Sequence, residues 1–110
     1  MTLQRHPSSQ AFHDLLIVVG EMHDAKQIDY GSDEDPFANV REAEQFGLPG
    51  WAGAVLRNND KQVRLRKAVR DTITHGEPRL RFEGVQDTFV DQAVYALIGH
   101  VLHQEWEASR

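Results

Sequence analysis

Cysteine is absent from the 110 residues, so disulfides are excluded and any metal must be held by oxygen or imidazole. Long hydrophobic runs are absent too. The longest, "AVYALIG" followed by His100, is far too short to span a bilayer. The first ten residues are polar, no signal peptide is visible, and a cytoplasmic protein is expected. There is no glycine-rich phosphate loop, no internal repeat and no low-complexity tract. No serine stands out as a nucleophile, and without cysteine a thiol mechanism is impossible. Strand signals are nearly missing as well, "RLRF" being the only alternating piece. The expected class is all-α.

What is present is ordinary in amount and uneven in placement. A hydrophobic content of 40% suits a small globular protein, and the length suits one domain over residues 1–110, with 1–8 as a flexible N-terminus. Such a domain buries roughly two-thirds of its unfolded surface. The net charge of −5 conceals three blocks. Three basic and nine acidic side chains leave −6 over residues 1–56; eight and three leave +5 over 57–81; one and five leave −4 over 82–110. Interleaved charges of this kind can neutralise one another on packing, or surround an anion together with its metal. A chain this acidic is not expected to bind nucleic acid non-specifically.

Helical spacing runs through most of the chain. Ser8 or Ser9 can cap a first helix in which Phe12, Leu15, Leu16, Val19 and Met22 recur up to about Ala25. Gln27 to Asp35 reads as a loop. Asp35 before Pro36 signals a short second helix, with Phe37, Val40, Ala43 and Phe46 as its buried stripe and Gly47 as its stop. A third begins at Pro49 and carries Trp51, Ala54, Val55, Leu56, Val63, Leu65, Ala68, Val69 and Ile73 as far as His75 and Gly76. The fourth runs from about Glu83 to Glu107 and is apolar nearly all round between residues 89 and 102. Three partners of this size cover such a helix poorly, so a second subunit is expected there. The architecture predicted is a bundle of about four helices, completed by oligomerisation through the apolar C-terminal helix.

Two constellations can carry chemistry. Glu83, Asp87 and Asp91 recur at intervals of four, along one line of the last helix. One reading is a solvated acidic edge at a helix N-terminus. Against it, Asp91 lies beside Phe89, Val90, Ala93 and Val94, and carboxylates about 6 Å apart repel by roughly 3 kcal/mol at an effective dielectric of about 20. If that face is buried, something cationic must offset the repulsion: Mg²⁺, or Arg and Lys from the basic helix. The second constellation, Arg57, Asp60, Lys61 and Arg64, shares one helix face. It reads either as a surface ion-pair ladder or as a phosphate grip in which Asp60 adds an oxygen ligand.

Other clusters fail or stay open. "DYGSDEDPFANV" does not make an EF-hand, since counting from Asp29 places Gly31 third, Glu34 sixth and Val40 twelfth. Lys26 and Tyr30, four apart, can converge near a helix end and suit phosphate or base recognition; a snorkelling Lys beside a packed Tyr is the alternative. His100 and His103 lack a third ligand and read as core or interface histidines rather than a zinc site.

In that order, "KQIDYG", "LRNNDKQVRLRK" and "FEGVQDTFVDQAVYALI" resemble a phage and bacterial family, the nucleotide-modification-associated domain group. It stands within or close to the all-α MazG-like nucleoside triphosphate pyrophosphohydrolases. The resemblance spans about Lys26 to Glu105. It implies an oligomeric helical bundle, dimer or tetramer, that binds Mg²⁺ (or Mn²⁺) and cleaves a nucleoside triphosphate to monophosphate and pyrophosphate. It further implies Glu83 and Asp87 as catalytic residues, and Asp60, Glu83, Asp87 and Asp91 as metal ligands. Lys26, Tyr30, Arg57, Lys61 and Arg64 would line the nucleotide site. MazG-like enzymes usually carry Glu-Glu-x-x-Glu on one helix and Glu-x-x-Asp on the next. Here the first is "NDKQVR", with Asp60 its only acid, and the second is stretched to Glu83-x-x-x-Asp87. Fewer carboxylates imply fewer or weaker metals, and the alternative expectation is a catalytically degenerate helical module that binds a nucleotide or a protein.

Overall fold

The computed structural model describes residues 3–30 and 34–110, with Tyr30 given by its backbone alone. Among them there is no strand. Four α-helices follow in order, α1 (Gln10–Tyr30), α2 (Ala38–Arg41), α3 (Gly50–His75) and α4 (Val85–Ala108), with 3-10 turns at Pro7–Ser9 and Glu42–Phe46. "RLRF" forms no strand; it lies in the α3–α4 connection.

Several boundaries differ from the periodicity. Helix α1 does not stop near Ala25 but continues through Lys26 to Tyr30, into the stretch expected to be a loop. The serines expected to cap it lie in the preceding turn, where His6 Nδ1 accepts from the Ser8 backbone N–H at 3.1 Å. Asp35 does act at the next start, accepting from the Phe37 N–H at 3.0 Å, but the helix itself begins only at Ala38. Its stripe is half as expected: Val40 and Ala43 are buried, while Phe46 is 84% exposed. Gly47 and Gly76 end the elements before them in the left-handed region, at φ 79° and 82°, which side chains with a Cβ adopt only at a cost.

The centre of the molecule is an antiparallel hairpin of α3 and α4, each nearly 40 Å long by the helical rise. Its register is legible from three contacts: Lys61 with Asp91, Ala54 against Gly99, and Trp51 against His103. Small residues let the backbones approach. An added Cβ on Gly99 would lie 3.1 Å from that of Ala54, and one on Gly53 only 2.1 Å from the Val40 carbonyl oxygen. The core consists of Val19, Val40, Ala54, Val94, Ile98 and Leu102, flanked by Met22, Phe37 and Tyr95. Helix α1 reaches this core through Val19 and Met22.

That core is small for the chain. The accessible surface is 8329 Å², about 2,100 Å² more than the roughly 6,200 Å² of a compact monomer of this mass. The radius of gyration is 16.5 Å, against about 13 Å for a compact domain of this length. Phe12, Leu15, Leu16, Phe89 and Leu97 are all exposed. No helix among the described residues is long and apolar enough to cross a membrane.

A candidate site around buried Asp91

The α3–α4 register sets Lys61 opposite Asp91, and the length of α1 brings Lys26 to the same carboxylate from a third direction. Asp91 is 5% exposed. Its Oδ1 accepts from Lys26 Nζ at 2.6 Å, and its Oδ2 lies 2.9 Å from Lys61 Nζ. Lys61 Nζ also lies 3.3 Å from Glu83 Oε2. Arg64, one turn further along α3, donates from Nη2 to the Glu83 backbone carbonyl at 2.8 Å. Its Nε is buried and makes no hydrogen bond. Two ammonium groups thus meet two carboxylates, with the Arg64 guanidinium on the adjoining backbone.

The protonation states follow from this packing. Burial alone pushes the Asp91 carboxyl up, but the hydrogen bonds and charges of Lys26 and Lys61 outweigh it and hold it below the usual carboxylate range. For Lys61, burial works downward, and Asp91 and then Glu83 more than offset it, so its ammonium is held above the usual lysine value. A buried carboxylate is therefore kept ionised by two ammonium groups. Losing one partner leaves charge in an apolar setting.

The expected site residues divide between this cluster and other places. Lys26, Lys61, Arg64, Glu83 and Asp91 come together. Asp87 stands on the exposed first turn of α4, where its Oδ2 accepts from the Gly84 N–H at 3.3 Å. Arg57 and Asp60 line a separate groove of about 320 Å³ between α3 and the Asn39–Leu48 segment. The side chain of Tyr30, together with Gly31 and Asp33, lies outside the described residues. His103 packs edge-on against Trp51 at 5.4 Å and beside Trp106, and both His100 and His103 are exposed rather than in the core.

Whether these groups suit a divalent cation turns on their free oxygens. No three His, Asp or Glu side chains gather as a metal-holding group among the described residues. Both oxygens of Asp91 are occupied by lysines. Glu83 and Asp87 each keep one carboxylate oxygen without a protein partner among the described residues. One or two such acids would hold Mg²⁺ only together with substrate phosphates.

Sequence reasoning missed the polar ties that fix the frame. Arg41 bridges Asp35 at 2.6 Å and Glu105 at 2.7 Å, which pins α2 to the end of α4. Asn58 donates to the Gln92 carbonyl at 3.2 Å, and Gln92 to Gln62 at 2.9 Å. Nothing in local spacing marks partners 30 or more residues apart. No protein-family model matches the chain, and neither a curated protein nor a solved structure matches it.

Proposed function

We propose that the chain is a Mg²⁺-dependent nucleoside triphosphate pyrophosphohydrolase, working as a homo-oligomer, with its site at the mouth of the Asp91 cluster. The observation that carries this reading is the convergence of Lys26 and Lys61 on Asp91, with Lys61 and Arg64 also reaching Glu83 just before the first turn of α4, which bears Asp87. The unmet buried Nε of Arg64 suits a phosphate oxygen. The resemblance of "KQIDYG" and "FEGVQDTFVDQAVYALI" to the nucleotide-modification-associated group points the same way.

In this reading Lys61 and Arg64 grip the phosphates while Asp91 fixes the lysines, a positioning role rather than a ligand's. Glu83 and Asp87 would hold the cation that accompanies the triphosphate; when bound, it supplies charge neutralisation and a more acidic water. A water oriented by one of these carboxylates attacks the α-phosphorus. The new bond joins the water oxygen to that phosphorus, the water's proton passes to the orienting carboxylate, the bond to the bridging oxygen breaks, and the products are monophosphate and pyrophosphate. The acceleration comes from positioning and charge stabilisation.

Calorimetric titration with a non-hydrolysable triphosphate and Mg²⁺ tests the assignment. Binding is expected, and Arg64→Met should weaken it about tenfold, the loss of one charge-assisted contact. Absence of any binding heat to a folded protein would remove the nucleotide from the account.

A second reading has its own observation. With both Asp91 oxygens taken by lysines and Asp60 in a different groove, the charges can serve purely as packing pairs. The chain would then be a helical module that binds a partner without catalysis. A stable assembly with no Mg²⁺-dependent turnover would favour it.

A further inference from the structure

We propose that the apolar groove between the first half of α1 and the start of α4 is the pairing face of a two-fold homodimer, filled by the same face of a second copy. The groove encloses about 680 Å³ and is lined by Phe12, Leu15, Leu16, Phe89, Val90 and Ala93, with Val19 at its floor. Through Val19 it runs on into a shallower apolar trough beside Leu97 and Val101. The apolar face therefore follows α4 for most of its length.

Area argues for a permanent partner. The chain exposes about 2,100 Å² beyond a compact monomer of its mass, whereas each side of a standard interface buries about 800 Å² and obligate homodimers bury more. Charge argues for a second copy. The face carries a single charge, Asp87, at its rim. An isologous contact sets each patch against itself, which an uncharged centre tolerates and a charged one does not. A foreign partner of an acidic chain would be selected by charge, and the groove offers only Asp87, at its rim, to select with. Because Asp87 stands on the rim, pairing would also wall one side of the proposed site.

The test reads mass and needs no nucleotide, so it stands apart from the catalytic reading. Sedimentation equilibrium of the wild type at micromolar concentration should give twice the 12.5 kDa of one chain, or a higher even multiple. Leu16→Glu with Phe89→Glu alters side chains 50% and 57% exposed in the single chain and should raise the dissociation constant at least roughly 100-fold. A cross-link readout covers the case in which the separated chain unfolds. Since the chain has no cysteine, Leu15→Cys should cross-link pairs under oxidation, while Phe46→Cys, exposed in the separate groove beside Arg57 and Asp60, should not. A wild type of single-chain mass overturns the proposal. So does an assembly that survives the double glutamate change, one that cross-links only through position 46, or a chain that pairs solely with a different protein.

Discussion

Asp91 is the residue whose surroundings decide most. A carboxylate two turns into an apolar helix is tolerated because two ammonium groups lie within 3 Å of it. Lys61→Met should cost about 3 kcal/mol, the low end for a broken buried pair because Lys26 remains, and urea titration would read it. The pH profile follows from the two displaced groups. Asp91 titrates below its unfolded value, so its contribution is complete above about pH 4 and is lost as pH falls through the folded pKa. Lys61 titrates above its unfolded value, so its share is complete below about pH 10 and is lost as pH rises through the folded pKa. Asp91→Asn should lower the plateau and flatten the acid limb of a pH–stability curve; an unchanged acid limb would detach Asp91 from acid unfolding. The apolar neighbours of Asp91 already signalled in sequence that it needed a cation. The choice between Mg²⁺ and lysine was not legible, because Lys26 is 65 residues away and reaches Asp91 only by the packing of α1.

At the scale of elements, backbone approach matters as much as side-chain packing. Gly53 sits where α3 passes under Val40, and a Cβ there would penetrate the carbonyl oxygen. Gly53→Ala should therefore destabilise by at least the roughly 1–3 kcal/mol of ordinary overpacking, read by thermal melting, since α2 must shift bodily. The order and number of helices were legible from the 3.6-residue period and from Gly47 and Gly76. The extra turn of α1 was not, because Gly31 and the acids around it drew the expected loop back to Gln27, whereas the helix runs on beside α4 to Tyr30. Nor was the fate of the α3 stripe. Val63, Val69 and Ile73 have helical spacing, yet they remain exposed, Ile73 at 80%, because α4 covers only one side of α3.

For the whole molecule, the excess surface has thermodynamic consequences. If folding and pairing are linked, the melting temperature should rise with protein concentration, as mass action requires when the partner binds only the folded chain. A midpoint independent of concentration would mean that the thin single-chain core carries the stability alone. The same coupling would tie the proposed site to assembly, because Asp87 borders the groove and stands four residues from both Glu83 and Asp91, the acids that meet Lys61.

The most direct test of the central claim is to quantify monophosphate and pyrophosphate after incubating the protein with a panel of ribo- and deoxyribonucleoside triphosphates, with and without Mg²⁺. Wild type would be run beside Asp87→Asn, which keeps a capping acceptor for Gly84 while removing the charge. The account predicts Mg²⁺-dependent pyrophosphate release from at least one triphosphate, abolished in the variant with the fold intact. Silence across the panel from a well-folded assembly, or equal release by the variant, would contradict it.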